Sequence, residues 1–136
     1  MAHGILSSGA AWNQPDFSWV RKLDDLGILN SNRLNMGNLD SIGNNAGKIA
    51  NEVINAKQRW GVEKVDIVAH SKGGIDSRHF VENNDAVERL IQLGTPNAGS
   101  PLADVAQGIL VVGIGLPNTV IVNALAGPAG VQLTQP

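Results

Sequence analysis

The sequence predicts an α/β protein with a parallel sheet that helices cover on both faces. The first observation is a short run rich in β-branched residues, Lys64 to Ala69 (KVDIVA), which lies between two segments of helical periodicity. Such a run is typical of a buried parallel strand. The second observation is another apolar run, Val87 to Leu93, which follows after a further helical segment. Strands that alternate with helices favour parallel pairing, because each crossover helix returns the chain to the same end of the sheet.

The remaining helices, strands and loops follow from apolar spacing and from turn residues. Gly27 and Gly61 stand where terminating glycines would end the first two helices. Polar and glycine-rich stretches between the periodic segments predict loops. The predicted helices span residues 15–26, 44–60 and 73–84, a weak strand spans 28–36, and loops span 3–14, 35–45 and 94–99.

Length and composition limit the classes of function. A chain of 136 residues fits one domain, in which residues 1–104 form the core portion and residues 105–136 an apolar segment. Ten basic and twelve acidic residues give a formal net charge of -2, and no basic run could follow a nucleic-acid backbone. Cysteine is absent, which excludes disulfides and thiolate metal sites. We expect neither a metal nor an organic cofactor.

Both ends of the sequence carry expectations of their own. The first residues lack the basic and apolar regions of a signal peptide, and a motif begins already at residue 3. We therefore expect that a leading strand or a signal sequence has been removed; the protein is secreted in the second case and cytoplasmic otherwise. No charged residue follows Asp104, but glycine, proline and asparagine interrupt the apolar stretch 105–126. These interruptions favour a buried or interfacial helix pair over a membrane span.

The segment around Ser71 predicts a catalytic turn. The strand Val65 to Ala69 leads directly into His70 and Ser71, and a helical segment with Gly73 near its start follows. A serine between a strand and a helix, with small residues two positions before and after it, is typical of a nucleophile elbow. The small residues are needed because strand and helix approach closely at this turn. The alternative is an ordinary turn with a serine as the helix N-cap.

Three motifs together resemble those of bacterial lipases and esterases of the α/β-hydrolase superfamily. They are the A-H-S-K-G-G elbow at 69–74, the His3-Gly4-Ile5 segment, and the G-T-P-N-A-G-S loop at 94–100. They occur in the family's order, and the resemblance covers roughly residues 3 to 104. It implies an α/β-hydrolase fold, of which this chain would supply the N-terminal two thirds. The tail 105–136 would then be a lid or cap.

The resemblance also assigns roles to single residues. It implies that Ser71 attacks a carboxylic ester and forms an acyl-enzyme, without a cofactor. The backbone N–H groups of Ile5 and Lys72 would form the oxyanion hole, where each donor is worth about 3–4 kcal/mol in the transition state. Gly4 would keep the oxyanion loop free of a side chain.

The base and the acid of a catalytic triad are harder to place. In the family both follow later strands, but no histidine occurs after His79. We interpret His3 and His70 as structural, with His70 packed under the turn. His79 and Asp104 remain the weaker candidates for base and acid, although a solvated side chain is the default for each. The expected base is therefore missing, and the chain is expected to stop inside the lid region.

Three functions remain open from the sequence. The first is a carboxylic-ester hydrolase acting on small-molecule or lipid esters, incomplete or weak as this chain. The second is a non-catalytic module that binds acyl groups or surfaces, and the third is an acyltransferase that uses the same serine. The apolar residues 105–126 could contact a lipid interface as a lid, pack against further protein, or promote self-association.

Overall fold

The computed structural model describes residues 1–5, 7–37 and 40–100. The predicted lid or cap segment 105–136, and Asp104 with it, lies outside these residues. The first element is a 3₁₀ helix at Gly9–Trp12. The elements that follow are α1 (Trp19–Asp25), α2 (Ile42–Trp60), β1 (Val65–His70), α3 (Lys72–Val81) and β2 (Val87–Leu93).

The sheet of the described residues is small and parallel, as expected. β1 pairs with β2 in a parallel register that brings Ile67 opposite Leu90 and Val68 opposite Ile91. On the other edge of β1, Ala2 forms an isolated parallel bridge with Ala69. The two predicted strands are thus confirmed, β2 with the same bounds and β1 shifted by one residue.

The helices α2 and α3 pack together against one face of this sheet. Their apolar side chains join those of β1 in one core, which contains Ile49, Val53, Ile67, Ala69 and Phe80. Alternation along a strand sends Ile67 and Ala69 to this face and the residues between them to the other.

Within the described residues, α2 and α3 cover one face of the sheet, and helical cover of the second face stays a prediction. The second face of the sheet carries an exposed ion pair, with the Arg89 guanidinium 3.2 Å from the Asp66 carboxylate. Beside it, the side chain of Ile91 is 47% exposed. A parallel strand pair normally has both faces covered, because neither of its faces is polar throughout.

Capping residues set the bounds of the helices more sharply than apolar spacing does. α1 begins four residues later than predicted because the Ser18 hydroxyl accepts a hydrogen bond from the Arg21 N–H at 3.0 Å. It ends as predicted at Gly27, which has a φ of 71°. There the N–H groups of Gly27 and Ile28 donate to the carbonyls of Asp24 and Leu23, which is a Schellman motif.

The middle helix also begins earlier than predicted. Ser41 caps α2 by accepting a hydrogen bond from the Asn44 N–H at 3.3 Å. Its far end is the predicted one, at Gly61, whose φ of 65° suits glycine. None of the helices in the described ranges is long and apolar enough to cross a membrane.

The weak strand predicted at 28–36 is not formed. Leu34 and Met36 are buried and their neighbours are not, so the alternating burial of a strand is present. The backbone of this segment, however, forms hydrogen bonds with single groups and not with a neighbouring strand. The Met36 N–H donates to the His3 ring at 3.2 Å, and the Ser31 carbonyl accepts from the Met1 ammonium at 2.7 Å. Side-chain periodicity predicted the burial correctly, but it could not show whether a pairing strand would lie alongside.

Candidate active site

Ser71 occupies a sharp turn between β1 and α3. It has φ 56° and ψ -131° and is the single non-glycine residue with positive φ in the described part of the chain. Such a conformation costs on the order of 1–3 kcal/mol and persists because the surroundings enforce it. Here the Ser71 N–H donates to the Leu93 carbonyl at 3.0 Å, and the Ser71 carbonyl accepts from the Gly74 N–H at 3.0 Å. The hydroxyl caps no backbone group, so the N-cap alternative does not describe this serine.

Two glycines allow the backbone to close around this turn. A Cβ added at Gly4 would lie 2.8 Å from the Ser71 Cβ and 3.3 Å from the Ser71 Oγ. A Cβ added at Gly73 would lie 2.3 Å from the carbonyl oxygen of His3. The His3-Gly4 segment therefore lies directly against the serine and the first turn of α3, and it can do so because neither glycine carries a side chain.

The two backbone N–H groups predicted to form the oxyanion hole belong to residues near this serine. Lys72 is the first residue of α3, where an N–H has no partner within the helix. Ile5 directly follows Gly4, whose α-carbon faces the Ser71 side chain. Within the described residues, no backbone carbonyl accepts a hydrogen bond from either N–H. As far as the described residues extend, both groups are available to another acceptor.

The side chain of Lys72 turns away from solvent and forms a buried ion pair. Its ammonium lies 2.8 Å and 2.9 Å from the two carboxylate oxygens of Asp76, one turn along α3. Both side chains are 1% exposed. A buried pair of this kind gains stability only when further hydrogen bonds satisfy the remaining oxygens.

Asn45 of α2 provides that further hydrogen bond. Its side-chain NH₂ donates to Asp76 at 2.9 Å and to the Gly37 carbonyl at 2.9 Å, while its side-chain oxygen accepts from the Gly37 N–H. Burial raises the pKa of the Asp76 carboxyl above its usual range, although the hydrogen bond and charge of Lys72 act in the opposite direction. The network thus ties α2, α3 and the 36–37 segment together beneath the serine turn.

His3 is structural, as expected. It is 2% exposed, and its Nε2 accepts a hydrogen bond from the Met36 N–H at 3.2 Å. Its Nδ1 lies 3.0 Å from the Gly4 carbonyl oxygen, to which it can donate in the tautomer that leaves Nε2 unprotonated. Both ring nitrogens are thereby used to hold the loop that carries Gly4 and Ile5.

The other two histidines are not bonded to Ser71. His70 was expected to pack under the turn, but its side chain is exposed, with its Nδ1 3.2 Å from where a Gly4 Cβ would be. This correction follows from alternation in β1, which sends His70 to the open face of the sheet. His79 is exposed on α3, eight residues and about 12 Å along the helix axis from Ser71. His79 is thus not brought to the serine, and Asp104 lies outside the described residues.

The G-T-P loop packs against the helix that follows the serine. A Cβ at Gly74 would meet the Thr95 hydroxyl, whose oxygen is buried without a partner in the described ranges. From the same loop, Asn97 donates to the Gln92 side chain at 3.0 Å and accepts from Arg78 at 3.0 Å. The loop therefore helps to fix the first turn of α3.

The Lys72–Asp76–Asn45 network was missed by sequence reasoning. Asp76 pairs with Lys72, whereas the Arg78 side chain lies 3.7 Å from Glu82. The signal available was the i,i+4 spacing of Lys72 and Asp76, which places them on one helix face. Asn45 gave no signal, because its partners are 31 and 8 residues away in the chain. Across the described ranges, no group of three or more His, Cys, Asp or Glu side chains could hold a metal ion.

Comparisons with known proteins give two results. A family model described as "Domain of unknown function (DUF7379)" matches residues 40–130. A crystal structure of the Bacillus licheniformis lipase BlEst2 in mature form is similar with a TM-score of 0.69 and 27% sequence identity. The match covers 96% of this chain and 55% of the lipase chain, so this chain spans about half the length of that protein.

Proposed function

This chain belongs to the family described as "Domain of unknown function (DUF7379)", and we propose that it carries the nucleophile and the oxyanion hole of a serine hydrolase acting on carboxylic esters. The observation that carries the proposal is the strained conformation of Ser71 with Gly4 against its hydroxyl. Strained backbone concentrates at functional sites, because selection otherwise removes its cost. The similarity to a lipase supports hydrolase kinship.

In the proposed reaction, the Ser71 hydroxyl oxygen attacks the carbonyl carbon of an ester. Negative charge moves onto the carbonyl oxygen, which accepts hydrogen bonds from the N–H groups of Ile5 and Lys72. The alcohol then leaves with a proton, and water releases the acid from the acyl-enzyme on Ser71. A general base must take the proton of the serine and return it to the leaving alcohol.

We propose that this base comes from outside the described residues. His3 uses both ring nitrogens within the fold, and His79 is about two helical turns from the serine. A serine with an oxyanion hole but no base retains only residual catalysis, so this chain alone is expected to be weakly active. The complete fold is proposed to be an α/β-hydrolase with residues 105–136 as its lid, and residues 105–126 are proposed to contact lipid or to associate with apolar protein surface.

The test is covalent labelling of Ser71 with a fluorophosphonate probe, followed by mass spectrometry of the modified peptide. We expect slow labelling that Ser71→Ala abolishes. Gly4→Ala is expected to reduce the labelling rate by about tenfold or more, because the added methyl group contacts the serine side chain. Gly43→Ala is the matched control, since a Cβ there meets no atom within 4 Å.

The outcomes separate the proposed hydrolase from the other functions. No adduct on Ser71 with a folded protein would contradict the proposal and favour the non-catalytic binding module. The described residues also favour that module in one respect, since none of their side chains is bonded to Ser71 as a base. Where an adduct forms, incubation with an ester and competing alcohols separates hydrolysis from acyl transfer. A new ester as the main product would assign the acyltransferase.

A further inference from the structure

The two backbone N–H groups proposed for the oxyanion hole each belong to a peptide group whose carbonyl oxygen is also held. A trans peptide group is planar, and its carbonyl and its N–H point in opposite directions. No peptide bond of the described residues is cis. A hydrogen bond that fixes the carbonyl therefore also fixes the direction of the N–H. The Lys72 N–H shares its peptide group with the Ser71 carbonyl, which accepts from the Gly74 N–H at 3.0 Å.

The Ile5 N–H shares its peptide group with the Gly4 carbonyl, and this carbonyl is held in a different way. Within the described residues, no backbone N–H donates to it. Its partner is the His3 ring, whose Nδ1 lies 3.0 Å from the carbonyl oxygen. One proposed oxyanion donor is thus fixed by the backbone of α3, whereas the direction of the other depends on one side chain.

A second contact decides which nitrogen of the His3 ring carries the proton. The Met36 N–H donates to Nε2 at 3.2 Å, which requires a lone pair on that nitrogen. A neutral ring then carries its proton on Nδ1, the nitrogen that faces the Gly4 carbonyl. Asn45 supports this contact, because it bonds both the N–H and the carbonyl of Gly37, the residue after Met36. The fold therefore selects the tautomer that can donate to the Gly4 carbonyl.

The surroundings keep the His3 ring in place. The residue is 2% exposed, and Ala2 before it is bonded to β1 through both its N–H and its carbonyl. On the other side, the backbone of His3 lies against the start of α3, where a Cβ added at Gly73 would be 2.3 Å from its carbonyl oxygen. Burial and two hydrogen bonds thus hold the ring beside the peptide group that carries the Ile5 N–H.

We propose that His3 is a positioning residue of the proposed hydrolase: its Nδ1–H holds the Gly4 carbonyl and thereby aims the Ile5 N–H at the oxygen on which negative charge develops. This inference rests on the proposed function and names the group that orients one of its two oxyanion donors. A donor aimed in advance stabilises the transition state without reorganisation during the reaction. The hydrogen bond to the carbonyl also polarises the peptide group, which strengthens its N–H as a donor.

Two substitutions separate this role from mere support of the fold. His3→Asn keeps an N–H donor close to the position of Nδ1 and loses the acceptor for the Met36 N–H. His3→Gln keeps an acceptor close to the position of Nε2 and loses the donor to the Gly4 carbonyl. If His3 only supports the fold, the asparagine variant should be the more impaired, because it is smaller and leaves a buried N–H without a partner. The positioning role requires the opposite order.

The test is the rate at which a fluorophosphonate probe labels Ser71, measured over a range of probe concentrations on protein shown to be folded by circular dichroism. We expect the maximal labelling rate of His3→Gln to fall about tenfold to a hundredfold. Its half-saturating probe concentration should change little, because the donor acts on charge that develops in the transition state. His3→Asn should label within about threefold of the original chain, since it keeps the donor.

Nitrogen NMR of the His3 ring in the original chain is a second measurement, which needs no variant. We expect a protonated Nδ1 and an unprotonated Nε2, and the opposite tautomer would overturn the proposal whatever the variants do. Equal labelling of the two folded variants, or faster labelling of His3→Gln, would also overturn it and would leave the proposed function intact. If the original chain itself is not labelled at Ser71, the proposed function fails, and the role of His3 fails with it.

Discussion

The two ends of β1 differ in how completely their polar groups are satisfied. At the C-terminal end, the buried charges of Lys72 and Asp76 pair with each other, and His3 and Asn45 each bond to backbone. Nearer the N-terminal end, the buried Met1 ammonium donates to one carbonyl, that of Ser31, and a mainly apolar cavity of about 380 Å³ lies beside the strand. The serine turn is therefore held from several sides, whereas fewer bonds among the described residues hold the backbone along the cavity edge. A strained conformation such as that of Ser71 can persist only in the first kind of environment.

The largest expected effect comes from breaking the buried ion pair. Asp76→Asn leaves the Lys72 ammonium without a compensating charge at 1% exposure. We expect the free energy of unfolding to fall by about 3–5 kcal/mol, measured by urea denaturation. Arg89→Ala, which removes the exposed pair with Asp66, should cost less than about 1 kcal/mol.

A double variant sharpens this prediction. Lys72→Met with Asp76→Leu removes both charges and keeps apolar volume, and it should lie within about 1–2 kcal/mol of the original chain or above it. If Asp76→Asn lowers the free energy of unfolding no more than Arg89→Ala does, the buried ion pair beneath the serine contributes no more stability than the exposed pair on the sheet.

The next effect is a dependence of stability on pH at the cavity. The Met1 ammonium has a pKa of about 6 in the folded chain against 8.0 for an ordinary terminus. Because the folded state disfavours the charged form, stability is highest above pH 8 and falls as the pH decreases from 8 towards 6. Two pKa units correspond to about 2.7 kcal/mol.

An N-terminally acetylated chain provides the comparison for this pH effect, since it has no charge to bury. The difference in unfolding free energy between the two forms should grow from pH 8.5 to pH 5.5 in favour of the acetylated one. Parallel pH profiles would mean that the terminus is solvated and that the cavity edge is not an apolar environment.

The same contrast explains what the sequence could predict. The sharp turn at Ser71 and both strands are local patterns within 65–74 and 87–93, and the structure contains them. The helix ends at Gly27 and Gly61 could also be predicted, because each glycine ends its helix through contacts within one turn. Such features depend on neighbours in the chain.

The features that failed depend on distant parts of the chain. The strand expected at 28–36 lacks a ladder because its partners are single groups of Met1 and His3 rather than a strand. Helical cover of both sheet faces was inferred from the class of fold, and the run containing Ile91 gave no sign that its side chain would be 47% exposed among the described residues. Asn45 bonds across 31 residues, and no local spacing indicates such a contact.

A third prediction concerns the backbone contact that closes the serine turn. Gly73→Ala would place a methyl group 2.3 Å from the His3 carbonyl oxygen and 3.0 Å from that of Ala2. The Ala2 carbonyl cannot move freely, since Ala2 is bonded to β1 on both of its polar groups. We expect a loss of about 1–3 kcal/mol in urea denaturation and slower labelling of Ser71. Unchanged stability would mean that the approach of α3 to this segment is looser than the structure indicates.

The smallest effect is expected at a glycine that lies outside both regions. A Cβ at Gly47, in the interior of α2, meets no atom within 4 Å, and the residue is exposed. Gly47→Ala should therefore raise the unfolding free energy by about 0.5–1 kcal/mol, because alanine loses less backbone entropy in a helix. Gly73 and Gly47 both lie in helices, but they differ in the space around them. If Gly73→Ala lowers the free energy of unfolding and Gly47→Ala raises it, the loss at Gly73 comes from steric contact at the serine turn and not from helix propensity. A lower free energy of unfolding for both variants would instead mean that alanine destabilises α2 and α3 alike, whatever space surrounds the glycine.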